Sequence, residues 1–283
     1  MEPIELSIEG TYTGIGSITH SHGKLTFTSG SKVDTDDFIV KTDNELTFSG
    51  AEFKSLDSLE IETGHVTFDY DDTFESIDID SIELQEGSVT FNNGDLKASS
   101  FTINSESTAS ASFFNTKLDS LTGFSSNNGN IEFNYEDDLI ISAAFVLDSS
   151  DLDLTNSDTI YTFSDVYLLS STRKGNGMLI VEKLSFSGTT FTGNSQTKCT
   201  ENCDVINGET NIINVKDSHE LIFDGNGNMD SESPLYFQIN SATFILKEGS
   251  LISTDSKVIV STSSKTDFQI LGTLNIEGRR YFW

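Results

Sequence analysis

The feature that most constrains this chain is a short strand signature, an aliphatic residue two positions before a Phe, that returns about every 21 residues. It reads Lys24-Leu25-Thr26-Phe27, Glu45-Leu46-Thr47-Phe48, His65-Val66-Thr67-Phe68, Ser88-Val89-Thr90-Phe91 and Asn130-Ile131-Glu132-Phe133. Later copies are Lys183-Leu184-Ser185-Phe186 and Glu220-Leu221-Ile222-Phe223. The first Phe-to-Phe steps are 21, 20 and 23, and Phe91 to Phe133 is two steps of 21 with Phe113-Phe114 near the midpoint. Residues two apart on a strand share a face, so the aliphatic residue and the Phe point one way and the Thr or Ser between them the other. Turn clusters such as Ser49-Gly50, Asn92-Asn93-Gly94, Asn127-Asn128-Gly129 and Ser187-Gly188 follow or separate these strands.

A fixed period with the same residue type at the same phase predicts an all-β fold, a right-handed parallel β-solenoid with coils of about 20–23 residues. Each coil stacks on the last at about 4.8 Å, so Phe falls on Phe; roughly twelve coils would fit the chain. A β-sandwich, with five- to seven-residue strands joined by hairpins, is the alternative. The signature blurs near 149–177 and near 194–215, both rich in Ser, Asn and Gly. The expectation is a single solenoid domain over 1–283 with loops inserted at those two places.

Composition narrows the partners. The 283 residues carry a formal charge of −29 and only three Arg: Arg173, Arg279 and Arg280. Phosphate recognition needs a basic face, so nucleic acid is excluded as a partner. Apolar runs are only a few residues long, which excludes direct membrane insertion by a helix. The opening MEPIELS lacks the basic start and apolar core of a secretory leader, and the aromatic ending Tyr281-Phe282-Trp283 suggests a chain that continues in the native protein. Cys199 and Cys203, four apart, read as a small disulfide closing one loop rather than half a metal site, which places the protein outside the cell or on its surface. With 20 Asn and 71 Ser plus Thr, no Asn-x-Ser/Thr acceptor occurs. Either glycans are not tolerated on the faces of a secreted protein or the repeat itself excludes the pattern.

The pattern resembles the pectin-lyase-like parallel β-helix superfamily in the broad sense, as architecture over most of the chain. Phe-x-x-Asn recurs at Phe101-Asn104, Phe124-Asn127, Phe191-Asn194, Phe223-Asn226 and Phe237-Asn240. This is similar to one motif of bacterial polymorphic outer-membrane proteins, whose companion Gly-Gly motif is absent. The resemblance implies an adhesin-like member rather than an enzyme. The Gly-His-Gly and Arg-x-Lys pattern of polygalacturonase-like sites is missing, since His65 follows Gly64 but precedes Val66.

Two constellations carry possible chemistry. Four residues past the motif Phe stand Glu52, Asp72, Asp95 and Asp137, a column of carboxylates if register holds; it would bind a ligand or cation, or serve acid–base cleavage of glycans. The run Asp224-Gly225-Asn226-Gly227-Asn228-Met229-Asp230 alternates oxygen side chains like the start of a calcium loop, with Asp224, Asn226, Asn228 and Asp230 as ligands. His20, His22, His65 and His219 are scattered. The reading that follows is a non-catalytic extracellular surface protein, an adhesin domain with a surface glycan or protein ligand or a structural repeat rod. A glycan-cleaving β-helix enzyme and a filament subunit that self-associates end to end are the alternatives. No cofactor is expected beyond calcium.

Overall fold

The computed structural model describes residues 5–13, 17–41, 45–71, 76–118, 120–205, 212–228, 235–254, 257–263 and 265–276. Strand makes up 69% of the structure, with no helix among the described residues, and the strands wind into a parallel β-solenoid of about 11 turns. The chain divides into two compact units, Met1–Asp137 and Asp138–Trp283. The strand pairings within each are parallel, which removes the sandwich alternative, since hairpin-joined strands pair antiparallel.

In the first unit each coil contributes three strands. The signature forms the first face: Glu5–Ile8, Lys24–Phe27, Glu45–Ser49, His65–Asp69, Gly87–Asn92 and the second halves of Ser100–Phe114 and Gly123–Asn134. Its register is the one the period dictates. Leu25, Leu46, Val66, Val89, Ala111 and Ile131 stack in one row and Phe27, Phe48, Phe68, Phe91, Phe113 and Phe133 in the next. Successive rings of that second row lie 4.7–5.3 Å apart and within 20° of parallel. Outward between these rows, Thr26, Thr47, Thr67 and Thr90 form a ladder of their own. The second face runs through Thr11–Thr13, Lys32–Asp34, Glu52–Ser55, Ser76–Asp78 and Asp95–Lys97. The third runs through Ser17–His20, Asp37–Val40, Ser58–Ile61, Ser81–Leu84 and the first halves of the two long strands.

The second unit keeps the same winding where the sequence reading expected inserted loops. Residues near 149–177 form the strands Asp151–Leu154, Ile160–Leu169 and Thr172–Gly175, and much of 194–215 is the strand Gln196–Val205. Residues 206–211 fall outside the described residues. The signature blurs there for a packing reason. Phe163, Val181, Cys199, Phe223, Leu246 and Ile270 occupy one inner row, at steps of 18, 18, 24, 23 and 24 residues. Two coils are short and their inner residues are smaller, so neither the period nor the Phe survives. The copies at Lys183–Phe186 and Glu220–Phe223 also sit on different rows, because Phe186 registers with Leu168 and Val205, and Phe223 with Cys199.

The corner after the first face lies two residues past the inner residue. Gly50 (φ 61°), Asn93 (58°), Asn115 (50°), Ser149 (51°), Ser170 (49°) and Gly188 (60°) adopt the left-handed backbone there. The Asn of Phe-x-x-Asn is not that residue; Asn104, Asn127, Asn226 and Asn240 lie within strands. Strand alternation allows one outward residue after the inner one before the chain turns, which puts the corner a position earlier. Buried hydroxyls pin coil to coil at these corners. Thr116 donates toward the Phe91 and Asn93 carbonyls at 3.1 and 3.0 Å, and Ser171 toward those of Leu147 and Leu169 at 3.0 and 2.8 Å.

Candidate functional site

Among the described residues, Glu52, Asp95 and Asp137 are not register partners of one another. Glu52 opens the strand Glu52–Ser55 and registers with Lys32, whose Nζ lies 2.5 Å from its Oε2. Asp95 opens Asp95–Lys97, registers with Ser76 and pairs through its backbone with Lys117 in an isolated parallel β-bridge. One of its carboxylate oxygens is buried without a hydrogen-bond partner. Asp72 lies outside the described residues, and Asp137 is exposed in a bend. The physical reason is an uneven corner. Four residues separate Phe48 from Glu52 and Phe91 from Asp95, but Ser76, the register partner of Asp95, stands eight past Phe68. Counting four therefore misses the register position in that coil, and among the described residues Glu52 registers with Lys32 and Asp95 with Ser76 rather than with another carboxylate.

The calcium pattern is spent in a similar way. Asp224 lies 2.8 Å from Lys198 Nζ and 3.4 Å from Lys247 Nζ, and the bond from Lys198 holds its carboxyl below the usual range. Asn226–Asn228 is a strand, with Asn226 exposed and registered with Asn202 and Leu251. Asp230 lies outside the described residues. Among the described residues no group of three His, Cys, Asp or Glu is placed to hold a metal ion.

Cys199 and Cys203 form a disulfide, with Cα atoms 6.0 Å apart. Both cysteines are buried, while Glu201 and Asn202 between them are exposed. Cys199 registers with Val181 and Phe223, and Cys203 with Leu184, so the bond crosses an interior corner between two core rows.

The polar feature that the structure does assemble lies on the second unit. A shallow, largely open concavity of about 360 Å³ is lined by Ser157, Asn176 and Met178, by Asn194, Ser195 and Gln196, and by Ser218 and Glu220. These come from four successive coils, so at about 4.8 Å per coil the groove extends roughly 14 Å across them. Beneath it lies a buried network. Arg173 is 0% exposed; its Nη1 donates to Ser195 Oγ at 2.6 Å and to the Lys174 and Gly175 carbonyls at 3.3 and 3.2 Å. Its Nη2 donates to the Gly177 carbonyl, and its Nε has no partner. Ser195 donates to the Gly175 carbonyl at 3.1 Å and lies 3.3 Å from His219 Nδ1. His219, also 0% exposed, has Nε2 3.0 Å from Thr197 Oγ1.

Arg173, Ser195 and His219 are 22 and 24 residues apart, one coil each. Sequence reasoning missed them because it looked for chemistry within short motifs. The signal that finds them is the coil period itself, applied to polar residues.

Ser195, His219 and Thr197 have the outline of a nucleophile, a base and an orienting group. The electrostatics oppose that use. Burial, with the Arg173 charge added to it, pushes His219 down to about 3, against a weaker upward pull from a bond to the Gly193 backbone. Burial also lowers Arg173, to about 9, where it remains charged at neutral pH. A histidine that stays neutral beside a cation, with Thr197 behind it and no carboxylate, is a poor acceptor of the Ser195 proton. The arrangement fixes the hydroxyl and presents polar groups to the groove.

No protein-family model, no curated protein and no solved structure matches this chain.

Proposed function

We propose that this chain is a non-catalytic extracellular surface solenoid that binds a glycan along the groove of its second unit. The observation that carries the reading is a concavity running across four coils, lined by amides and hydroxyls above a histidine held neutral. Asn176, Asn194 and Gln196 supply both donors and acceptors, which suits a polyhydroxylated ligand. Met178 adds a patch of apolar surface for a sugar face. A groove that repeats at the coil spacing suits an extended oligosaccharide better than a compact metabolite. The adhesin-like β-helix resemblance and a core disulfide, which persists in oxidising compartments, support the same placement.

The test is binding of the purified protein to an immobilised glycan panel, repeated with Asn194→Ala/Gln196→Ala and followed by a reducing-end assay on the bound glycans. The expected result is at least a tenfold weaker signal for the double variant and no release of reducing ends. Cleavage abolished by Ser195→Ala would replace this reading with the enzyme.

One observation favours a second reading, self-association through coil edges. In the coil 258–276, Val260, Ile270 and Ile276 are 38%, 42% and 36% exposed. Their register partners one coil earlier, Phe237, Leu246 and Thr254, are buried. Exposed apolar residues at inner-row positions are a template for another strand layer. Sedimentation over a hundredfold concentration range tests it, with a constant monomer excluding it.

A further inference from the structure

We infer that Ser195, with Arg173 behind it, forms a subsite for the carboxylate of an acidic sugar within this groove. The inference rests on the glycan-binding reading and narrows it.

Buried cations are normally paired with an anion, because an uncompensated charge is costly away from water. Arg173 breaks that pattern. Its hydrogen-bond partners are three backbone carbonyls and one hydroxyl, all neutral, and its Nε is buried without a partner. Asp153 acts on it through charge alone, and the acid of the groove lining, Glu220, takes a hydrogen bond from Gln196 Nε2 at 2.8 Å. The positive charge is therefore left facing a groove through one atom, Ser195 Oγ.

That atom is built to pass the charge on. A serine hydroxyl has one proton and two lone pairs. Arg173 Nη1 occupies one lone pair at 2.6 Å, which draws electron density from the oxygen and strengthens its O–H as a donor. The proton points to the Gly175 carbonyl at 3.1 Å, a weaker bond, and a rotation about one torsion would aim it at a ligand oxygen in the groove. Ser195 is half-buried and lines the concavity, whereas Arg173 and His219 are out of reach beneath it. A carboxylate is the acceptor that gains most, since it is charged and accepts on both oxygens.

The net charge of −29 repels an anionic ligand at long range. At physiological ionic strength that repulsion is screened beyond about 8 Å, while the interaction with the buried guanidinium is not. Affinity for the acid should thus hold, or rise, between low salt and 0.15 M, opposite to the behaviour of a basic surface patch.

The experiment compares a glucuronic acid trisaccharide with its methyl ester by calorimetry, on the full protein and on Ser195→Ala, with thermal unfolding confirming that the variant folds. The expected result is at least tenfold tighter binding of the acid to the unaltered protein, and equal binding of acid and ester to Ser195→Ala. Equal binding to the unaltered protein would overturn the subsite and leave the glycan reading in place. An acid preference retained by Ser195→Ala would also overturn it. Binding of neither sugar, with no other glycan competing at the groove, would overturn both.

Discussion

Phe68 and Phe91 lie one coil apart with ring centroids separated by 4.7 Å and planes 5° from parallel. Both rings are fully buried, and Phe68 is stacked on its other side by Phe48 at 5.0 Å. Removing Phe68 breaks a continuous row rather than one pair. Phe68→Ala should cost about 3–5 kcal/mol, the range for a buried Phe whose site only partly collapses. Denaturant unfolding measures it, and a loss under about 1 kcal/mol would mean that the row bears little of the stability.

His219 makes stability depend on acid. Its pKa falls from 6.5 to about 3 on folding, because it is buried beside the Arg173 charge. The unfolded chain therefore binds more protons between those two values, and stability falls as pH drops from about 6.5 toward 3. Above about pH 7 the contribution is complete. The size is on the order of a few kcal/mol over the whole window. His219→Gln removes the titration while keeping donor and acceptor groups. The slope of stability against pH should flatten in the variant, and an unchanged slope would show that His219 is not its source.

Glycines hold the coils together at two stacked corners. Gly87 (φ 91°) has no room for a side chain, since a Cβ would sit 2.1 Å from the Gly64 carbonyl oxygen. Gly193 (φ 100°) is equally tight against Gly175, at 2.2 Å. Gly249 has a similar φ of 86° but open space around it. Gly249→Ala should therefore cost only backbone strain, about 1 kcal/mol. Gly87→Ala and Gly193→Ala should cost more, because backbone must move as well. Thermal unfolding of the three variants gives the order, and equal losses would show that crowding adds nothing.

The regular part of the fold was legible because its physics is local and repeated. Leu25 through Phe133 give the phase, and the described register follows it residue for residue. Legibility fails where coil length changes. Ser76, eight residues past Phe68, holds the register position next to Asp95, so a fixed count of four does not reach that position in this coil. At Val181 and Cys199 the coil shortens and the inner Phe is lost, so true strands resemble loops. The groove was illegible for another reason. Ser195 is one of 71 Ser and Thr residues, and nothing near it in sequence distinguishes it. Its significance comes from Arg173 one coil before and His219 one coil after, a relation that exists only once the register is known.

The Lys32–Glu52 pair shows how little the acidic column contributes. Its side chains are 39% and 61% exposed despite the 2.5 Å contact. Exposed pairs give up side-chain entropy and are screened, so they contribute about 0–1 kcal/mol. Glu52→Gln should change stability by less than about 1 kcal/mol and leave glycan binding unaltered. A tenfold loss of binding would move the functional surface from the second unit to the first.

The disulfide offers the last test, because its position predicts two separable behaviours. Cys199 and Cys203 are both 0% exposed, lying in core rows occupied by Val181, Leu184 and Phe223. Thiol exchange needs a thiolate to reach a sulfur, so a reductant should leave the native protein oxidised until the surrounding coils open. Trapping free thiols after dithiothreitol treatment, with and without denaturant, measures this. Rapid reduction without denaturant would show that the bond is accessible without opening of the coils. The loop it closes is short, so its constraint on the unfolded chain contributes only about 2 kcal/mol. Cys199→Ala/Cys203→Ala should lose that amount plus the cost of the space left in the core. Cys199→Val/Cys203→Ala refills the row with the residue that Val181 already places one coil away, and should recover part of the loss. Recovery would assign the difference to packing; no recovery would assign the whole effect to the covalent link.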